Sequence, residues 1–264
     1  MKRGTGARLG QHFLTGLWAA RALARAAGVM PGETVLEIGP GKGALTRELL
    51  LVSKKVIAIE KDEELVLRLR ETFAAEIASG ALTIVAADIR DITPEKLNLA
   101  AGKYVLAANI PYYITGEIVR QFLTATRQPR AMALLVQKEV ADRIVSARES
   151  ILSLSVKAYG RPRIVKKVPR GNFSPPPSVD SAILLVDGIS RDFFAGISED
   201  TFFKVVRAGF ASKRKYLANN LGASFGRENA VAALSACGIP KKVRAENTPL
   251  GQWKCLAQGI GDRE

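Results

Sequence analysis

Two rhythms of apolar residues alternate along the first two-thirds of the chain. Short, nearly unbroken apolar runs occur at Thr34–Ile38, Lys55–Ile59, Leu82–Ala86, Tyr104–Ala108 and Ala131–Val136. Runs of that length, rich in branched side chains, predict strands buried on both faces. Between them lie stretches with a helical period. Gly43–Leu51 is one; Asp62–Phe73 places Leu65, Leu69 and Phe73 on one face, and Gly116–Thr124 turns Ile118, Phe122 and Leu123 inward. The alternation predicts an α/β fold with a parallel sheet covered by helices. Runs at Arg163–Val168 and Ala182–Val186 flank a Pro-rich loop and are expected to close the sheet as an antiparallel edge pair.

After Val186 the texture changes. Asp187-Gly188 interrupts the pattern and no strong strand follows. Thr201–Leu221 and Glu228–Cys237 predict helices, Leu250–Gln258 a weaker one, and Gly238-Ile-Pro240 separates the last two. The expected organisation is a sheet domain over residues 1–186 and a small all-helical domain over 187–264. No apolar run approaches the roughly 18 residues of a membrane helix, so no membrane association is expected.

Charge adds a partner to this picture. Lys and Arg total 39 against 25 Asp and Glu, a formal net charge of +14. Two blocks hold cations and no acid: Arg161 to Asn172 (Arg161, Arg163, Lys166, Lys167, Arg170) and Thr201 to Arg227 (Lys204, Arg207, Lys213, Arg214, Lys215, Arg227). Concentrated blocks indicate a nucleic-acid footprint more than general solubility. The first acid is Glu33, and the Arg- and Ala-rich start before it also resembles an organellar transit peptide. Cys237 and Cys255 form no CxxC pair and read as reduced thiols of a cytoplasmic protein; no metal site is expected.

Candidate chemistry gathers at the ends of the expected strands. Glu37-Ile-Gly-Pro-Gly-Lys-Gly43 follows the first strand and opens a helix. Glycines there let the backbone pass close to a ligand. The spacing is GxGxG, not the GxGxxG of dinucleotide sites, which favours S-adenosylmethionine over a nicotinamide. Glu60 ends the second strand, where a carboxylate accepts from ribose hydroxyls. Asp88 ends the third, where an acid accepts from an adenine amine beside Ile89. Glu37, Glu60 and Asp88 together suggest a locally acidic pocket for a cationic sulfonium.

Asn109-Ile-Pro-Tyr112 ends the fourth strand. The exocyclic amine of adenine is a poor nucleophile because its lone pair is delocalised into the ring. The Asn109 side-chain oxygen and the Ile110 carbonyl are two acceptors that can orient such an amine, Pro111 fixes the local dihedral, and Tyr112 offers a face to the base. Catalysis of this kind is positioning for in-line attack, with no strong base required.

With these motifs in place, the sequence resembles the ribosomal RNA adenine dimethyltransferases, most closely the small-subunit type. Six ordered segments carry the resemblance: Leu9-Gly-Gln-His-Phe-Leu14, Glu37–Thr46, Asn109–Tyr112, Gln137-Lys-Glu-Val140, Asn172-Phe-Ser-Pro-Pro-Pro-Ser-Val-Asp-Ser181 and Phe210–Leu221. The resemblance implies a Rossmann-like methyltransferase sheet and S-adenosylmethionine as methyl donor. It implies transfer to N6 of two adjacent adenosines near the 3′ end of small-subunit rRNA, during ribosome biogenesis. It assigns His12, Leu14, Gly39, Glu60, Asp88 and Asn109 to the cofactor, Asn109, Ile110, Pro111 and Tyr112 to the target amine, and Phe173 to the far face of the flipped base. It places Lys213, Arg214 and Lys215 on an RNA-binding helix of the C-terminal domain, and makes His12 a hydrogen-bonding lid residue. Phe13 and Phe210 read as core. The protein is expected to act as a monomer on pre-ribosomal particles. One departure is Ser146-Ala-Arg-Glu-Ser-Ile151, shorter than the family's Gly- and Tyr-containing loop. Three alternatives remain: a large-subunit adenine methyltransferase that confers antibiotic resistance, a nicotinamide oxidoreductase on the same scaffold, and a non-catalytic ribosome-assembly factor.

Overall fold

Nine strands and eleven α-helices account for most of residues 12–261, the part of the chain that the computed structural model describes. The strands are β1 (Phe13–Leu14), β2 (Thr34–Ile38), β3 (Val56–Glu60), β4 (Leu82–Ala86), β5 (Tyr104–Asn109), β6 (Ala131–Gln137), β7 (Arg161–Val168), β8 (Phe173–Ser174) and β9 (Ser181–Asp187). The helices are α1 (Leu17–Ala26), α2 (Ala44–Leu50), α3 (Glu63–Thr72), α4 (Ala74–Ala78), α5 (Thr115–Leu123), α6 (Lys138–Val145), α7 (Ile151–Lys157), α8 (Glu199–Gly209), α9 (Leu217–Phe225), α10 (Arg227–Ala236) and α11 (Leu250–Gly261). The described residues divide into two units, 12–141 with 161–189 and 142–160 with 190–261. The second unit therefore returns near the expected boundary at 187 but also takes 142–160. None of the described helices is long and apolar enough to cross a membrane.

In the first unit seven strands form one sheet in the order β4-β3-β2-β5-β6-β9-β7. The first five run parallel; β9 is antiparallel to β6 and β7 to β9, the expected edge pair. Central β5 and β6 are buried along nearly their whole length, which is why they read as unbroken apolar runs. The chain order reverses between β2 and β5, and open α/β sheets bind ligands beyond the strand ends at such a point. Helix α3 starts where Asp62 Oδ1 accepts from the amides of Glu64 (3.0 Å) and Leu65 (3.2 Å). The Arg- and Ala-rich stretch from Leu17 forms α1. Its buried face is Ala19, Ala20, Leu23 and Ala24, so small side chains bring this helix close against the core. The residues before His12 in that transit-peptide-like start, and in the first family-like motif, lie outside the described residues.

In the second unit the single helix expected over Thr201–Leu221 is two. Helix α8 ends at Gly209, where a Cβ would stand 2.3 Å from the ring of fully buried Trp253. The buried Asn220 amide then donates to the carbonyls of Gly209 (2.6 Å) and Ser212 (3.0 Å), satisfying acceptors the broken helix leaves open. Lys213, Arg214 and Lys215 stand exposed on this turn and not on a helix. Phe210 is half-buried and stacks on Trp253 at 5.4 Å between centroids. The expected pair of reduced thiols is also corrected. Packing of α10 on α11 brings the Cα atoms of Cys237 and Cys255 to 5.8 Å, within bridging range, and the two form a disulfide. The altered 146–151 loop is ordered by a capping box in which Ser150 and Ser153 exchange hydrogen bonds ahead of α7, and by buried Glu149 paired with Lys157 at 2.8 Å.

Candidate active site

Four parallel strands end at one cavity in the first unit. Its volume is about 270 Å³. Ile38, Gly39 and Gly41 reach it from the end of β2, Glu60 from β3, Asp88 and Ile89 from the end of β4, and Asn109 to Tyr112 from β5. His12 and Phe13 complete the wall. Apolar walls with a few convergent polar groups are the usual make-up of a small-molecule site.

The turn after β2 is shaped by glycine. Gly41 has φ +57°, and a Cβ there would meet the Phe13 ring at 3.0 Å; Gly43 has φ +79°, and its Cβ would stand 2.5 Å from Phe73 Cε2. A side chain at either position would be strained by the backbone and crowded by a ring. The Glu60 carboxylate is held by three backbone amides: Oε2 accepts from Gly41 (3.0 Å), and Oε1 from Lys61 (2.8 Å) and Asp62 (3.0 Å). A carboxylate has about four lone-pair sites. Three are used by the protein itself, so the group is fixed in position with about one acceptor site remaining.

Two of the three expected pocket acids behave otherwise than anticipated. Glu37 is fully buried and absent from the cavity wall. Strand alternation turns it to the same sheet face as Val35, while Ile38 faces the cavity. Neither carboxyl oxygen has a hydrogen-bond partner, nor does the hydroxyl of Thr46. Burial pushes the Glu37 carboxyl up to about 8, helped by the nearby Glu60 and opposed by the Thr46 hydroxyl and amide. Those Thr46 groups lie close enough to act electrostatically without meeting hydrogen-bond geometry. Asp88 does line the cavity but is bound by the protein's own cations. It accepts from Arg90 Nε and Nη2 (3.0 and 2.5 Å) and from Lys61 Nζ (2.8 Å). The Arg90 and Lys61 hydrogen bonds hold its carboxyl well below the usual range. The acidic pocket read from the sequence is therefore largely neutralised from within.

The wall formed by Asn109 to Tyr112 is tightly set. Asn109 Nδ2 donates to the His12 carbonyl at 3.1 Å, which leaves the amide oxygen as its acceptor. Ile110 is buried, and Pro111 holds φ −55° ahead of a 3₁₀ turn over Tyr112–Ile114. The Tyr112 hydroxyl hydrogen-bonds Ser181 Oγ at 2.7 Å, and its ring stacks on His12 with centroids 5.9 Å apart. Burial raises the Tyr112 phenol, with Ser181 acting the other way. His12 Nδ1 donates to the Pro175 carbonyl at 2.8 Å, since that oxygen only accepts. His12 is thereby tied to the Pro-rich loop.

The short β1–β8 ribbon sets the direction of three side chains named in the sequence. Its register pairs Phe13 with Ser174 and Leu14 with Phe173. Alternation sends Leu14 and Phe173 into the core, 7 % and 4 % exposed. Neither side chain lines this cavity in the structure. Phe13, expected in the core, faces the cavity beneath Lys42, whose Nζ lies 4.8 Å from the ring centroid. Sequence reasoning also missed Lys61, Arg90 and Ser181. Only the adjacency of Lys61 to Glu60 and of Arg90 to Ile89 hinted at the first two.

Comparison with known proteins agrees with this geometry. The family model described as "Ribosomal RNA adenine dimethylase" matches residues 5–260. A protein named "Ribosomal RNA small subunit methyltransferase A" from Dehalococcoides mccartyi is 42 % identical over 252 residues, covering 94 % of this chain and 86 % of its own. One of the same name from Moorella thermoacetica is 38 % identical, covering 95 % of this chain and 91 % of its own. Among solved structures, the 23S rRNA methyltransferase ErmE superposes with a TM-score of 0.76 at 26 % identity, over 94 % of this chain and 99 % of that one. A dimethyladenosine transferase from Plasmodium falciparum gives 0.77 at 24 % identity over 93 % and 96 %, a likeness of fold.

Proposed function

This chain belongs to the ribosomal RNA adenine dimethylase family, and on that premise we propose that it dimethylates N6 of two adjacent adenosines near the 3′ end of small-subunit rRNA. The observation that carries the reading is the convergence of the glycine turn, Glu60, Asp88 and Asn109 to Tyr112 on one cavity. A site for S-adenosylmethionine fits these residues: a backbone turn open enough for close approach at Gly39 and Gly41, a fixed acceptor at Glu60, and apolar walls at Ile38, Ile59 and Ile89. Bound there, the cofactor supplies a methyl group already activated on a cationic sulfur.

The chain's own residues then act by position. Asn109, oriented by its bond to His12, and the Ile110 carbonyl are the acceptors for the two amine hydrogens. Pro111 sets the direction of that carbonyl. Tyr112, held by Ser181 and His12, presents an immobilised ring to the extruded base. Asp88 would accept from the adenine amine of the cofactor by sharing or releasing one of its bonds to Arg90 or Lys61. Exposed Lys213, Arg214 and Lys215 bind RNA phosphates from the turn between α8 and α9. The protein works as a monomer on pre-ribosomal particles in the cytoplasm.

The large-subunit reading is the competitor, since ErmE shares the fold. Identity of 42 % to a relative named for the small subunit, against 26 % to ErmE, favours the small subunit. Incubating undermethylated small subunits and, separately, large subunits with labelled methyl donor tests the choice. N6,N6-dimethyladenosine is expected in small-subunit RNA; label confined to the large subunit overturns it.

A further inference from the structure

A second concavity lies in the first unit, between α1 and the β9–β7 edge of the sheet. Its volume is about 650 Å³. Trp18, Arg21 and Arg25 line it from α1, Arg163 and Lys166 from β7, and Arg130 from the start of the β6 side. Asp187 is the one acid on the wall.

The count of cations overstates the free charge. Arg21 is paired with Glu48 at 3.1 Å, Arg130 with Glu33 at 2.5 Å, and Arg163 with Asp187 at 3.6 Å. Asp187 is itself shared with Arg161 at 3.0 Å, so two guanidiniums meet one carboxylate. Among the described residues Arg25 is exposed with no ion pair, and Lys166 meets only the Trp18 ring, 5.2 Å from its Nζ. The groove therefore keeps an excess of positive charge centred on Arg25, Lys166 and the Arg161–Arg163 pair.

Local backbone geometry brings these groups together. The β7–β9 register slips between Ile164 and Lys166. Such a bulge re-aims the side chain that follows it. Val165 and Lys166, adjacent in sequence, thus both face the groove, which plain strand alternation forbids. Trp18 is 41 % exposed on the opposite wall. Basic residues on an edge strand also guard against edge-to-edge pairing. That accounts for β7 but not for Arg25 and an exposed indole on the facing helix.

We propose that this groove is an RNA-docking subsite. It holds a single-stranded segment of the substrate RNA, with phosphates against Arg25, Lys166 and Arg163 and an unstacked base against Trp18. The inference rests on the rRNA reading above and extends it to a surface outside the methyl-transfer cavity. A single strand is specified because a base paired and stacked inside a duplex cannot offer its face to an aromatic ring on the wall of a groove.

The chain has two tryptophans, and Trp253 is fully buried in the other unit. An RNA-induced change in tryptophan emission that Trp18→Phe removes therefore reports on Trp18. The experiment titrates the full chain with a fluorescein-labelled 12-nucleotide oligouridylate for anisotropy, and with the same unlabelled oligonucleotide for emission. Uridylate carries no target adenosine, so the methyl-transfer cavity is not engaged. Saturable quenching that Trp18→Phe abolishes is expected. In the Arg25→Gln, Lys166→Gln double variant the log–log salt slope should shrink by about 1.4, roughly 0.7 for each lost phosphate contact. The idea is overturned by RNA binding that leaves wild-type emission unchanged, by an unaltered salt slope in the double variant, by no RNA binding at low salt, or by quenching with a 12-residue polyglutamate and not with RNA. Methyl transfer to small subunits is measured on the same preparation. Its absence refutes the rRNA reading; its presence without a Trp18 response refutes the groove alone.

Discussion

Replacing Glu37 by Gln should stabilise the protein at neutral pH, although it alters a carboxyl group at the start of the cofactor turn. Glu37 is fully buried, its two oxygens are unpartnered, and its carboxyl is pushed from 4.5 up to about 8. Between those values the folded chain holds a proton that the unfolded chain releases. Stability therefore falls as pH rises through this window, and is unaffected by the group below about pH 4.5. Each pH unit in the window is worth about 1.4 kcal/mol. The cost is about 3 kcal/mol at pH 7 and about 5 kcal/mol once the pH passes 8. Gln has nearly the same shape and does not titrate, so the variant escapes the loss. Urea unfolding of both proteins at pH 5, 7 and 8.5 measures it, because every other titrating group cancels in the difference. The curves should nearly coincide at pH 5 and separate in favour of the variant as pH rises. Parallel profiles across the range would refute the reasoning, for they would mean that Glu37 ionises in the folded protein as it does in the unfolded one.

Asn109→Ala removes both the amine acceptor and the tie to His12; single-turnover transfer should slow by about 10²-fold or more, while calorimetry still detects S-adenosylmethionine binding. Gly43→Ala forces a side chain into positive φ and against Phe73; urea unfolding should show a loss of about 2–4 kcal/mol. Replacing Cys237 and Cys255 by Ser opens a link across a sequence separation of 18; thermal unfolding should report a loss of about 3 kcal/mol, and reductant should lower the wild-type melting temperature but not the variant's.

The parallel sheet was legible because burial on both faces writes itself as continuous apolar runs, and β2 and β4 have the limits that the pattern predicts. In the antiparallel edge pair β9 was legible for the same reason, whereas β7 is mostly exposed and was read from Ile164, Val165 and Val168 beside the Pro-rich loop. Helix α1 was not, because its buried face is mostly alanine and the eye is drawn to its arginines. The break between α8 and α9 was hidden too. It depends on a buried Asn220 bonded across the turn and on Trp253 from a distant helix, neither of which leaves a periodic trace. The same holds for the disulfide, since a separation of 18 residues says nothing until α10 and α11 are seen to pack. In the site, the positions at strand ends were read correctly while their electrostatics were not. Their positions at successive strand ends place Glu37, Glu60 and Asp88 near one another, but only coordinates show that one faces away, one is wrapped by amides and one is matched by two cations.

This redistribution of charge bears on how the reaction avoids a general base. An aromatic amine that attacks an activated methyl group becomes far more acidic as its nitrogen gains positive charge, so water suffices to take the proton afterwards. The protein's task is to bind the neutral amine in the geometry of attack, and neutral acceptors do this without trapping the cation that follows. In the proposed mechanism Asn109 and the Ile110 carbonyl are such acceptors. Two side chains beside them are withheld from proton transfer: Tyr112 is raised by burial and committed to Ser181, and Asp88 is held by Arg90 and Lys61. A free carboxylate in the place of Asn109 would hold the protonated product as an ion pair and impede the second transfer to the same nitrogen. Dimethylation asks the site to release and rebind one amine at successive degrees of substitution, and a wall of fixed, uncharged acceptors is suited to both rounds.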